Sequence, residues 1–121
     1  MMLSTVTFAA KLNLVTVSSN QPEFVLKLKS NPTTGYSWSL REYNANVVTL
    51  VKHVFKAPVK GLIGAPGFDY WTFRVKPAGF ITPQSFTIHM VYARPWESKD
   101  SGTEVVFRVN TKIEHLPEIK Y

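Results

Sequence analysis

The sequence predicts an all-β sandwich, on three observations. Hydrophobicity alternates with period two in five separate runs. Turn residues punctuate those runs at short intervals, and an amphipathic helical period is hard to find. Alternation of this kind gives each strand one face for a core and one for solvent.

Taken in order, Val6 and Phe8 predict a short edge strand, and Lys11–Val17 predicts a second strand. Phe24, Leu26 and Leu28 then face one way while Val25, Lys27 and Lys29 face the other. Tyr36, Trp38 and Leu40 alternate with Ser37, Ser39 and Arg41. A strand is expected over Val47–Phe55, although its apolar residues occupy both phases. A helical turn around Glu42 to Asn46 could precede it. Trp71, Phe73 and Val75 alternate with Thr72, Arg74 and Lys76. Phe86, Ile88, Met90 and Tyr92 alternate with Thr87, His89, Val91 and Ala93, and Val105, Phe107 and Val109 with Val106, Arg108 and Asn110. Trp38, Trp71, Phe73, Phe86, Ile88 and Phe107 are the predicted core. Asn20-Gln21-Pro22, Asn31-Pro32, Pro58, Gly61 to Gly67, Pro77 to Gly79, Pro83, Pro95 and Ser101-Gly102 supply the turns. The expectation is about seven to eight strands in a single domain over 1–121, ordered over about 11–112, with a polar tail that frays after Lys112.

The 121 residues are enough to bury a core, and 45% hydrophobic against 18% charged residues is a globular composition. There is no cysteine, which excludes a disulfide, a thiolate metal site and a cysteine nucleophile. That composition suits a reducing compartment. Met1 to Leu14 has no basic residue ahead of its short apolar stretch, and Thr7 interrupts that stretch, so it does not read as a signal peptide. A cytoplasmic location is the expectation. No run approaches the length of a membrane span, and no membrane partner is expected. The net charge of +6 comes from lysines and arginines spread along the chain without a dense cluster, so no nucleic-acid partner is expected. The charge reads as a solubility device or as steering towards an acidic partner.

Catalysis is hard to build from these residues. His53, His89 and His115 lie on separate elements, and none has a metal-ligand partner at i+2 or i+4. The carboxylates are scattered, Asp69 is isolated, and nothing resembles a nucleophile with its base or a phosphate cradle. The chain is read as no enzyme, with no cofactor and no metal.

Three segments carry more constraint than a simple turn needs. In Asn31-Pro32-Thr33-Thr34-Gly35-Tyr36, proline fixes φ, two β-branched threonines restrict χ1, and Gly35 permits a positive φ. In Gly61-Leu62-Ile63-Gly64-Ala65-Pro66-Gly67, Leu62 and Ile63 stand between glycines, to fold back on the core or to meet a partner. In Arg94-Pro95-Trp96-Glu97, arginine and tryptophan are the types most enriched at binding hot spots. Trp96 could equally cap the end of the sandwich with Arg94 stacked on it.

In this order the three segments resemble the chagasin family of cysteine peptidase inhibitors. Residues 31–36 match that family's Asn-Pro-Thr-Thr-Gly-aromatic loop throughout, and Arg94-Pro95-Trp96 match its Arg-Pro-Trp. Gly64-Ala65-Pro66-Gly67 keeps two glycines of a Gly-x-Gly-Gly loop and puts Pro66 in place of one. The resemblance implies an immunoglobulin-like sandwich with the three loops side by side at one end. It also implies tight, reversible occlusion of papain-like cysteine peptidases of the cathepsin L and B type, by a protein that is a monomer when free. By resemblance, Thr33 and Thr34 sit over the enzyme's catalytic cysteine. Arg94 and Trp96 grip the primed side, with Pro95 between them in the same binding loop, and Leu62, Ile63, Gly64, Ala65, Pro66 and Gly67 run along the non-primed side. The alternative is an immunoglobulin-like adhesion or scaffold module, in which the three loops are coincidence.

Overall fold

A computed structural model describes residues 4–7, 13–58, 66–97 and 102–114. Eight strands are found among them: β1 Ser4–Thr7, β2 Leu14–Ser18, β3 Glu23–Ser30, β4 Ser37–Tyr43, β5 Val48–Lys56, β6 Gly67–Val75, β7 Ser85–Ala93 and β8 Thr103–Lys112. They form two four-stranded sheets, ordered β1-β3-β6-β5 and β2-β8-β7-β4. The β1–β3 and β2–β8 pairs are parallel and the rest antiparallel. The architecture is the predicted all-β, immunoglobulin-like sandwich.

The inward phases are those read from the sequence. Phe24, Leu26 and Leu28 stand opposite Phe73, Trp71 and Asp69 on the inner face of one sheet. Ile88, Met90, Phe107, Val109, Val15 and Val17 close the core from the other sheet. Trp38, Trp71, Phe73, Ile88 and Phe107 are buried as expected. Phe86 departs from the expectation. It is only half-buried, because it sits near the start of β7, where it flanks the core instead of lying inside it.

Two irregularities account for what the sequence left ambiguous. The register of β5 against β6 shifts between Leu50 and Lys52, so Val51 is a bulged residue. One bulge moves every later side chain to the other phase, which is why apolar residues occupy both phases of this run. Val48 and Leu50 face the core before the bulge, and His53 and Phe55 take the inward phase after it. A second shift, between Leu40 and Glu42, lets β4 run on to Tyr43. The segment expected as a helical turn is therefore strand up to Tyr43. A tight turn follows, in which Asn44 accepts the N–H groups of Val47 and Val48 on its carbonyl and that of Asn46 on its side chain.

Asp69 is not the isolated carboxylate that the sequence suggested. It is buried on the inner face, and its Oδ1 lies 2.5 Å from His53 Nε2. The His53 ring stacks on Trp71 at 3.9 Å between centroids. The bulge at Val51 is what brings His53 into phase with Asp69, so spacing along the chain could not reveal the pair. A buried carboxylate without a partner is costly. Asp69→Asn is expected to destabilise the protein by about 1–2 kcal/mol, read as a lowered urea midpoint at unchanged m-value. An unchanged midpoint would mean that the pair contributes nothing.

Candidate functional site

Every strand adjoining the three constrained segments meets the same pole. β3 ends there at Ser30 and β4 begins there at Ser37. β5 ends at Lys56, β6 begins at Gly67, β7 ends at Ala93, and β8 begins at Thr103. The register fixes this. Ser30 pairs with Gly67, Lys56 with Phe68, and Ser37 with Ala93.

The first loop is wound tightly on itself. Pro32–Thr34 form one 3-10 turn, with Thr34 N–H donating to Asn31 O (3.2 Å) and Gly35 N–H to Pro32 O (3.0 Å). Gly35 closes it in the left-handed region at φ 84°, a conformation that glycine adopts without steric cost. Both threonine hydroxyls turn back into the loop: Thr33 Oγ1 donates to Asn31 Oδ1 at 2.6 Å, and Thr34 Oγ1 to Asn31 O at 2.7 Å. Pro32, Thr33 and Thr34 are exposed, so this is a stiff projection without a buried side chain of its own.

The third loop is bolted to the first. A Cβ added to Gly35 would stand 2.9 Å from Cη2 of Trp96, so the indole lies directly over the glycine. The Arg94 guanidinium carbon is 4.6 Å from the Tyr36 ring and 5.7 Å from the Trp96 ring. Tyr36 stacks on Tyr92 at 5.2 Å, and Tyr92 leans on Trp38 at 4.8 Å. Trp38 in turn donates its indole N–H to Lys29 O at 3.0 Å. A ladder of π faces and one cation thus runs from the pole into the core, and each rung resists tilting of the next. Trp96 remains 71% exposed at its top. Neither alternative read from the sequence is quite what is found: Arg94 does stack as a cap would, yet the indole is left open to a partner. Glu97 holds Arg94 from the side at 3.5 Å.

Tyr92 is a candidate site residue that the sequence does not single out. Alternation gives only its inward phase on β7, whereas its hydroxyl accepts the N–H of Asn31 at 3.1 Å and so ties the base of the first loop to the end of β7. A tyrosine at the final inward position of a strand, shortly before Arg-Pro-Trp, carries the signal: its ring is partly buried and its polar tip needs a partner. Tyr92→Phe should keep the ring ladder and lose one hydrogen bond. The expected cost is about 1 kcal/mol in affinity for a partner bound at this pole, with folding stability changed by no more than that. A variant that binds such a partner as tightly as the parent would show that the tie is not needed.

Of the second segment, Gly61, Leu62, Ile63, Gly64 and Ala65 lie outside the described residues. Pro66 is half-buried, and Gly67 is the first residue of β6 instead of a loop residue. Gly67 has no room for a side chain. A Cβ there would meet Phe55 Cζ at 2.6 Å and Lys56 O at 2.7 Å.

Loops held this rigidly at one pole of a sandwich define a recognition domain that presents a preformed surface. The sequence matches the family model described as "Chagasin family peptidase inhibitor I42" over residues 17–111, and the chain belongs to that family of peptidase inhibitors, which are not enzymes. It is 29% identical to chagasin of Trypanosoma cruzi over 83 residues, covering 65% of this chain and 71% of chagasin. It is 34% identical over 74 residues to amoebiasin-2 of Entamoeba histolytica, covering 60% of this chain and 55% of that protein. The chain thus spans about half the length of amoebiasin-2. The solution structure of amebosin matches with a TM-score of 0.61 at 19% identity, over 94% of this chain and 100% of that one. The structure of PbICP-C in complex with falcipain-2 matches with a TM-score of 0.55 at 14% identity, over 90% and 99%.

Proposed function

We propose that this protein is a reversible, tight-binding inhibitor of papain-like cysteine peptidases of the cathepsin L and B type, and that it fills their cleft with the three constrained segments. The observation that carries this reading is the contact of Trp96 with Gly35, which makes two separate loops one preformed edge. An inhibitor ordered before binding loses little entropy on association. In this reading Thr33 and Thr34 stand over the catalytic cysteine. Their hydroxyls are already engaged within the loop, so they present methyl groups and a smooth backbone to a narrow slot. Trp96 lays its open face on the primed side, with Arg94 beneath it. The segment 62–67 follows the non-primed side. That PbICP-C was solved in complex with falcipain-2 supports a cysteine peptidase as the target class.

The direct test is a titration of papain and cathepsins L and B with the purified protein, with trypsin as control. The expected result is stoichiometric loss of activity in the first three and none in trypsin. Inhibition of trypsin alone, or of none of the four, would reject the reading and favour an adhesion or scaffold module.

The same titration should show inhibition persisting under mild acid. The segments 31–36 and 94–97 contain no histidine, and Glu97 is their one carboxylate. Elsewhere, on the outer face of β8, Glu104 accepts a hydrogen bond from His89 Nδ1 and pairs with Arg41 at 2.6 Å. The bond from His89, then the charge of Arg41, hold its carboxyl below the ordinary glutamate value. A carboxyl lowered in the folded state stabilises it at all pH above the unfolded value. That contribution is lost only as pH falls through the lowered folded value. Inhibition constants should therefore agree within about threefold between pH 7 and pH 5.5, a window above the ordinary glutamate range. A collapse of affinity over that window, with fold and enzyme intact, would contradict this.

A further inference from the structure

Lysines that look scattered in the sequence converge on one surface. On the outer face of the β1-β3-β6-β5 sheet, three successive cross-strand rows read Lys29–Phe68–Lys56, Lys27–Tyr70–Val54 and Val25–Thr72–Lys52. Four lysines from β3 and β5 thereby frame the aromatic row of β6. The only acid facing outward on these three strands is Glu23, one row further on, and it is engaged by Arg74. The frame therefore carries four charges with no counter-charge from β3, β5 or β6 within it. With strands about 4.8 Å apart, the two lysine columns are separated by roughly 10 Å, within reach of each other's side chains.

The rings hold these ammonium groups in place. Lys27 Nζ lies 4.3 Å from the centroid of Phe68 and 5.9 Å from that of Tyr70, and Lys56 Nζ lies 5.1 Å from Tyr70. One tyrosine ring thus draws in a cation from each flanking strand. Like charges gathered in this way repel one another, and an anion placed between them relieves that repulsion.

From this arrangement, we infer that the outer face of β3, β6 and β5 binds a linear sulfated polysaccharide, laid along β6 between the lysine columns. The face excludes the other polyanions on physical grounds. The rings are capped by ammonium groups, so they offer no open platform for stacking bases. The surface is a flat sheet, with no helix or ribbon to enter a duplex groove. Phe68 and Tyr70 are half-buried beneath lysine side chains, so no apolar wedge projects to enter a bilayer. Protein–protein interfaces are depleted of lysine at their centres, whereas four lysines crowd this face. A ligand that binds through closely spaced anionic groups alone fits what remains.

The test measures affinity of the full chain for a heparin octasaccharide across a salt series. Three variants are compared with the parent. Lys27→Gln/Lys52→Gln/Lys56→Gln removes three charges from the face. Lys76→Gln/Arg108→Gln/Lys112→Gln removes the same number elsewhere. Tyr70→Leu keeps every charge and removes the ring that gathers them, so it also guards against an effect of net charge alone. Folding is checked by urea midpoint. The face triple is expected to lose at least about tenfold in affinity with a shallower dependence of log K on log salt, the distant triple less than about threefold, and Tyr70→Leu severalfold. Equal losses in the two triples would overturn the proposal, since net charge would then suffice. Displacement of the octasaccharide by duplex DNA or by phosphatidylserine vesicles at equal charge concentration would overturn it as well, by showing that no particular polyanion is preferred.

Discussion

Thr34→Trp is expected to raise the inhibition constant against a cathepsin L-type enzyme by more than about 100-fold, or about 3 kcal/mol. The projection formed by Pro32–Thr34 is narrow because both threonine hydroxyls fold inward onto Asn31. An indole in place of the Thr34 methyl cannot follow that projection into a slot. It would lift the whole edge, including Trp96, which is joined to the same loop through Gly35. A standard protease–inhibitor interface buries about 1,600 Å², and a few residues carry most of its energy. Trp96→Ala should therefore cost on the order of 2 kcal/mol, about 30-fold, because it deletes a large ring that stands 71% exposed at this pole. Thr34→Ala should cost only about 1 kcal/mol, chiefly through lost stiffness. Thr34→Ser retains the hydroxyl and its bond to Asn31 O, and should stay close to the parent. This series separates bulk from hydrogen bonding. Full inhibition by Thr34→Trp would show that the loop does not enter the cleft.

The second large effect is expected from Gly35→Val. At φ 84° a β-branched residue is a genuine outlier, and the new Cβ would also stand 2.9 Å from Trp96 Cη2. Both penalties act on the pole and not on the core. Inhibition should fall by about 100-fold or more, while the urea midpoint drops by no more than a residue in a strained turn implies, about 1–3 kcal/mol. The two contributions can be separated with a double-mutant cycle. In the Trp96→Ala background the indole no longer resists the new side chain, so the added cost of Gly35→Val should shrink to the backbone part alone. Strict additivity of the two substitutions would mean that Gly35 and Trp96 act independently, and the two loops would no longer count as one edge.

The strands were legible in the sequence because a sheet with one buried face imposes period two, and that period survives in the order of residues. Phe24 to Leu28, Trp71 to Val75 and Val105 to Val109 point where alternation placed them. The 31–36 and 94–96 segments were legible for a different reason. Proline, β-branched threonine and glycine each restrict or release the backbone locally, so a constrained loop announces itself without reference to the rest of the fold. Alternation failed at Val51, where a single extra residue inverts the phase, and with it was lost the pairing of His53 with Asp69.

By itself, then, the sequence determined the fold class, the core phases and the two stiff loops, all of which depend on residues near one another in the chain. The tertiary structure alone decided that Trp96 lies on Gly35, that the Tyr92 hydroxyl holds the Asn31 N–H, and that Lys27 and Lys56 meet over Tyr70. These contacts join residues up to 61 positions apart. Which strand lies beside which is set by how two sheets bury their apolar faces together, a collective property of the whole chain that no local pattern encodes.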